Sequence, residues 1–160
     1  MKIRKATRKD YKAVWEIFQQ VIQTGDTYVF WPTTEKEELS RLWFADNMET
    51  FVAEDKDKIL GTYMIRPNHL GLGSHIANCG YMVHPDSQGK GVGNSLCEHS
   101  ISEAKRLGYI GIQFNLVVST NLNATHIWKK NGFQIVGTIP KGFKHNQLGY
   151  VDAYIMYREI

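Results

Sequence analysis

Hydrophobic positions along the chain change period several times, and each change marks an element. Met1 to Ala6 reads as a short edge strand. Thr7 with Asp10 three positions on is a helix start, and Tyr11, Val14, Phe18, Val21 and Ile22 follow at helical spacing as one buried stripe, closed at Gly25. A second start, Thr34 with Glu37, leads into Leu39, Leu42 and Trp43. The period then shortens. Thr50 to Glu54 and Ile59 to Ile65 read as strands joined by the charged turn Asp55-Lys56-Asp57-Lys58, and a third strand runs from His75 to His84, ending at Pro85. From Gly91 the spacing is helical again through Val92, Leu96, Ile101, Ala104 and Leu107, until Gly108 stops it. Gly111 to Val118 is a strand rich in branched and aromatic residues. Asn121 to Lys130 is a short helix, and Phe133 to Gly137 and Tyr150 to Arg158 are two further strands.

The predicted order is β-α-α-β-β-β-α-β-α-β-β. Three consecutive strands in the middle imply an antiparallel meander, and the later helices imply crossovers. The fold class is therefore α/β, a mixed sheet flanked by helices. With 160 residues and no linker, repeat or low-complexity stretch, residues 1–160 are expected to form a single domain. Hydrophobic residues at 42% and charged residues at 22% exclude a disordered, collagen-like or disulfide-dense chain. A net charge of +3 suits an anionic ligand, but the dispersed lysines and arginines do not make the basic stripe that nucleic acid requires. The basic stretch Met1 to Lys12 has no apolar run behind it, and nowhere do about 18 apolar residues follow one another. A secretory signal and a membrane partner are not expected, and the expected location is the cytoplasm. Cys79 and Cys97 form no C-x-x-C pair and read as core thiols in a reducing compartment.

The stretch that carries chemistry runs from Tyr81 to Gly93. A strand enters a glycine-rich loop, Gln88-Gly89-Lys90-Gly91-Val92-Gly93, and the loop opens a helix. Backbone N–H groups at such a helix start lack intrahelical partners and, with the positive end of the helix dipole, seat phosphate oxygens. The P-loop pattern fails because Gly91, not Ser or Thr, follows Lys90. The dinucleotide pattern G-x-G-x-x-G fails because Asn94 takes its third glycine position. What matches is Q-x-x-G-x-G. This motif, with Asn121-Leu122-Asn123-Ala124 and Trp128-Lys129-Lys130-Asn131-Gly132-Phe133 downstream, resembles the GNAT family of N-acetyltransferases. The order of elements resembles that family from end to end.

The resemblance implies a GNAT fold: a mixed, mostly antiparallel sheet of six to seven strands in which strands 4 and 5 run parallel and splay apart. It implies acetyl-CoA as acetyl donor and a small-molecule amine as acceptor. The pyrophosphate would sit on amides of Gln88, Gly89, Lys90, Gly91, Val92, Gly93 and Asn94. The pantetheine arm would pair with backbone of Met82 and Val83, with Asn121 and Trp128 beside it. The neutral amine would attack the thioester directly, with no acyl-enzyme. Within the family, Phe114-Asn115-Leu116-Val117, Thr120-Asn121, Ile127-Trp128 and Asp152-Ala153 are similar to the azetidine-2-carboxylate N-acetyltransferases, and Asn78 falls where that group carries a substrate-binding asparagine. The phosphinothricin acetyltransferases share the Gly137 to Pro140 turn. Many members place a tyrosine at Trp128 to protonate the departing thiolate, a task for which an indole is not a practical acid.

Among single residues, Glu54 reads either as a general base acting through water or as a solvated turn carboxylate. Asn78 and Asn115, in otherwise apolar strands, read as contacts to substrate or cofactor, or as bonds to neighbouring backbone. His75 is a candidate proton acceptor or a strand-end residue, and His84 caps its strand. His126 and His145 receive no role. No H-E-x-x-H or Cys/His spacing indicates a metal. Tyr28, Phe30 and Trp31 form an acceptor wall or a core cluster. Two alternatives to small-amine acetylation stay open, a protein N-terminal acetyltransferase and a catalytically weak CoA-binding module. Self-association as a homodimer is compatible with the sequence.

Overall fold

The computed structural model describes residues 1–160. Seven strands, β1 (Lys2–Lys5), β2 (Glu49–Asp55), β3 (Lys58–Pro67), β4 (Ile76–Val83), β5 (Gly111–Val118), β6 (Gln134–His145) and β7 (Gly149–Glu159), form one sheet in the order β1-β2-β3-β4-β5-β7-β6. Four helices, α1 (Tyr11–Gln23), α2 (Leu39–Trp43), α3 (Val92–Arg106) and α4 (Leu122–Lys130), cover its faces. Every neighbouring pair of strands is antiparallel except β4 and β5, which are parallel. This is the mixed α/β sheet the periodicity implies.

Alternation along the strands sends side chains to two separate cores. On one face, Val14, Ile17, Phe18 and Ile22 of α1 pack with Leu39 and Trp43 against Val52, Met64 and Met82. On the other, Val92, Leu96, Cys97, Ile101 and Ala104 of α3 cover Phe51, Tyr63, Cys79, Ile112 and Phe114. Gly61 lets α3 approach closely, since a Cβ there would come within 3.0 Å of Val92 Cγ1 and of the Met82 carbonyl. Both cysteines are buried free thiols, and burial pushes each up to about 12.

Three boundaries differ from the sequence reading. Thr7 leads into a 3-10 turn, Arg8–Asp10, before α1 begins, and the second helix start lies one residue later, where Glu35 leads into Lys36–Glu38. β6 runs far beyond the expected Phe133 to Gly137, whereas β7 adds one residue at each end of Tyr150 to Arg158. Gln134–His145 pairs with Gly149–Glu159 across a tight turn, and Pro140 is tolerated because β6 is the sheet edge. Lys141, at φ 56°, sits in the irregularity between Ile139 and Phe143.

At the opposite edge, Arg4 ties β1 to β2 and to the start of α1. Its guanidinium donates to Asp10 Oδ1 and Oδ2 (both 2.8 Å) and to Glu54 Oε2 (2.8 Å) and Oε1 (3.1 Å). Asp10 is buried and also accepts from the Thr7 N–H (2.7 Å). Arg4 above all, helped by Thr7 against the cost of burial, holds the Asp10 carboxyl down at about 2. A carboxyl depressed on folding contributes stability that is complete above its ordinary value near 4 and is lost as pH falls towards 2. Asp10→Asn should therefore lower the thermal midpoint at pH 7 by at least about 2–4 °C, with the gap to wild type narrowing below pH 4. Circular-dichroism melts across pH 2–7 check this, and a gap that does not depend on pH would contradict it.

Candidate active site

Parallel pairing between β4 and β5 lasts for two residue pairs, Ile76 with Gly111 and Ala77 with Ile112. Beyond them the strands part. The next rung of a regular ladder would use the Gln113 carbonyl, but Asn78 Nδ2 occupies that acceptor instead at 2.9 Å. One extra residue between Phe114 and Val117 of β5, relative to β7, bends β5 further away. A cavity of about 310 Å³ lies in the gap, lined by Cys79, Gly80 and Tyr81 of β4, Phe114 to Val118 of β5, and Asn121, Ala124 and Trp128 at α4. Thr27 to Phe30 cover it from the α1 side.

Hydrogen-bond phase decides which β4 groups face this gap. His84 N–H bonds the Leu60 carbonyl (2.8 Å) and Asn68 N–H bonds the Ile76 carbonyl (2.8 Å), so the even-numbered residues of β4 are spent on β3. The backbone groups of Cys79, Tyr81 and Val83 point the other way, into the gap. Tyr28 agrees with this phase, since its hydroxyl donates to the Tyr81 carbonyl at 2.7 Å. Met82 is therefore not a backbone partner for a ligand in the gap. Its N–H and C=O serve β3 and its side chain lies in the α1 core. Val83 keeps the expected orientation, and Tyr81 takes the place expected of Met82.

At the end of β4, His84 Nδ1 accepts from Asp86 N–H (3.2 Å) and shapes the turn into the glycine loop. Gly89 (φ 73°) and Gly91 (φ 79°) occupy the left-handed region, and Gly91 is the N-cap of α3. The first helical bond runs from Ser95 N–H to the Gly91 carbonyl, so the N–H groups of Val92, Gly93 and Asn94 lie ahead of it, and no side chain caps them. A Cβ at Gly89 or Gly91 would meet nothing within 4 Å, so the space before these amides is open to an anion. Lys90 folds back to donate from Nζ to the Asp86 carbonyl (2.7 Å), keeping a cation beside the loop, and Gln88 is exposed. The Asn94 side chain is already committed. It donates to Glu98 Oε1 (2.8 Å) and accepts from Asn131 Nδ2 (3.0 Å), fastening α3 to the end of α4. At Gly93 a Cβ would press on Ile127 Cδ1 at 3.3 Å, so its bareness serves helix packing as well.

The gap brings Asn78, Asn115, Asn121 and Trp128 together, and the loop continues from its end. Trp128 packs on Tyr81 and Phe114, at centroid distances of 4.7 and 5.1 Å, and closes one wall. Asn121 is the N-cap of α4, accepting from Ala124 N–H (3.1 Å) through Oδ1, which leaves its Nδ2 as the free donor. Glu54 is elsewhere. It sits on β2, two strands from the gap, with both oxygens bonded to Arg4, which also depresses its pKa. It is not placed to act as a base here. His75 is exposed and does not line the cavity.

No aspartate, glutamate or histidine lines the cavity. Its acidic protons are those of Tyr28, Cys79 and Tyr81, and burial raises all three above their ordinary values. Tyr81 gives its hydroxyl to a bond with Ser100 Oγ (2.7 Å) on the α3 side. Arg66, at the end of β3, also lines the cavity. The sequence offered no signal for it, because an arginine before Pro67 reads as a solvated strand end.

The sheet is thus parted between its two parallel strands, with an anion seat where one of them meets a helix. Residues 11–133 match the acetyltransferase (GNAT) family, and the chain belongs to that family. The N-acetyltransferase aca1 of Schizosaccharomyces pombe is 37% identical over 112 residues, covering 69% of this chain and 54% of that protein. The chain thus spans about half the length of that relative. A GCN5-related N-acetyltransferase from Kribbella flavida shares 36% identity and a TM-score of 0.95, covering 99% of this chain and 97% of that one. The fold is also shared with yncA from Salmonella typhimurium, solved with its cofactor acetyl-CoA (TM-score 0.84, 22% identity, 99% and 93% covered).

Two outcomes follow for CoA binding. Lys90→Glu reverses a charge beside the open amides without disturbing a left-handed glycine, and should weaken CoA about tenfold in calorimetry while the melt stays near wild type. Unchanged affinity would contradict the anion seat. Asn121→Ala removes a helix cap worth about 1 kcal/mol, whereas Asn121→Ser keeps the cap and removes the Nδ2 donor. Both should weaken CoA, and only the alanine variant should melt lower. Wild-type affinity in Asn121→Ser would reduce Asn121 to its capping role.

Proposed function

We propose that this protein transfers the acetyl group of acetyl-CoA to the amine of a small amino- or imino-acid-like acceptor. The observation that carries the reading is the gap between β4 and β5, whose unpaired Tyr81 and Val83 amides lead straight to the open amides of α3. Acetyl-CoA supplies an activated thioester together with a pyrophosphate handle. Gly89 to Asn94 bind the pyrophosphate, with Lys90 adding charge. The β4 backbone receives the pantetheine arm as an added strand would be received. An N–H directed into the gap then stabilises the negative charge that develops on the acetyl oxygen.

Direct transfer fits a cavity that holds no strong nucleophile, since Cys79 is kept as a thiol by burial. The amine lone pair forms the N–C bond, the C–S bond breaks with its electron pair on sulfur, and the proton lost from nitrogen ends on water or on the thiolate. With no carboxylate or imidazole in the cavity, the amine arrives neutral. A cavity of about 310 Å³ covered by Thr27 to Phe30 supports a small acceptor over an extended peptide.

Thiol release from acetyl-CoA, followed against free amino acids, imino acids, polyamines and N-terminal peptides, tests the reading. Turnover is expected for the free acids, with kcat/KM rising tenfold per pH unit until the acceptor amine is deprotonated. An inflection near pH 6–7 would reveal a base on the protein and contradict this account. Preference for peptides would make the protein an N-terminal acetyltransferase, and tight CoA binding without any turnover would make it a binding module.

A further inference from the structure

Arg66 carries the single formal charge among the residues lining the cavity. It stands on β3 directly across from Asn78 of β4, where the two parallel strands begin to part. Its Nε is sealed from solvent and has no acceptor. Two positions on, just past the end of β3, is Asn68. Asn68 Oδ1 accepts from Asn115 Nδ2 (2.7 Å), and Asn115 Oδ1 accepts from Gln113 Nε2 (3.0 Å). This chain of amides ends in Asn68 Nδ2, which is also buried without an acceptor. One other buried side-chain atom lacks a hydrogen bond, Glu49 Oε2, and it is satisfied by ion pairs with Lys5 (3.2 Å) and Arg106 (3.7 Å). The two donors with no partner of any kind thus lie two residues apart in the chain, and Arg66 is the one that lines the cavity.

Burying a guanidinium nitrogen without an acceptor is costly, and native structures rarely leave such a donor alone. Both orphans are donors, and the cavity lining holds no carboxylate to answer them. The missing partner is therefore an acceptor that arrives with a ligand, and a carboxylate matches the planar fork of an arginine. Asn78, which also lines the cavity, spends one Nδ2 N–H on the Gln113 carbonyl and keeps the other, but it is neutral and cannot match the charge of a carboxylate. We propose that Arg66 binds the carboxylate of the acceptor and makes it the determinant of specificity. This deepens the acetyl-transfer reading and rests on it. An α-amino or imino acid holds its nitrogen one carbon from that carboxylate, so an anchor where the strands part presents the amine to a thioester lying in the gap. Polyamines and other cationic acceptors are disfavoured by the same charge.

The test measures acetyl-CoA affinity by calorimetry and then kcat and KM for a panel of amino and imino acids and their carboxamides. Wild-type protein is expected to prefer the acid over its amide by at least about 30-fold, carried mainly by KM. In Arg66→Gln that ratio should collapse to within about threefold, while acetyl-CoA affinity stays within about twofold. Arg66→Lys, which keeps the charge but loses the fork, should give an intermediate ratio and serves if the glutamine variant fails to fold. An acid-to-amide ratio near one in wild type, or one retained in the variants, overturns the assignment. So does failure of CoA-saturated protein to bind any of these acids at millimolar concentration. Loss of acetyl-CoA binding by the wild-type protein would instead overturn the acetyl-transfer reading itself.

Discussion

One hydrogen bond governs the site: Asn78 Nδ2 to the Gln113 carbonyl, placed where the β4–β5 ladder would otherwise continue. A side-chain amide taking that carbonyl ends the backbone pairing after two rungs. The extra residue in β5 then carries the strand away. Interior sheet edges with free N–H and C=O groups are normally avoided, since they cost stability and invite misplaced pairing. Here Tyr28 bonds one of the exposed carbonyls and Trp128 walls the gap, so the open edge is shielded without being filled. The apolar cores on both faces, and the antiparallel strands on either side, hold the two parallel strands apart.

The gap has a positive character at each end and a neutral middle. At one end are the backbone amides of α3 with Lys90 beside them, and at the other is Arg66 without a counter-ion. Between them lie Trp128 and two tyrosines and a cysteine whose protons burial holds in place. Such a lining suits a reaction in which both ligands bring their own charge and the protein contributes oriented donors. It also accounts for why no catalytic carboxylate is needed within the cavity.

Much of this was legible in the sequence, for reasons tied to range. The glycine loop is local: residues 88 to 94 declare their own backbone conformation and the helix they open. The helical stripes and central strands follow from periodicity alone. What failed depended on neighbours distant in the chain. Met82 was a plausible partner until pairing with β3 fixed which alternate residues face the gap. Glu54 ends its strand as a base might, but strand order puts it beside Arg4 instead. Arg66 gives no sign, since nothing local distinguishes a half-buried arginine before a proline from a solvated one. The length of β6 was hidden by Pro140, which only an edge strand accommodates.

The central claim is that β4 offers alternate backbone amides to the acetyl-CoA arm. Residue-resolved amide hydrogen exchange, with and without CoA, measures this directly. The account predicts that Tyr81 and Val83 gain protection when CoA binds, whereas Met82, already bonded to β3, is protected in both states. Unchanged exchange at Tyr81 and Val83 in CoA-saturated protein, or protection gained at Met82 instead, would contradict it.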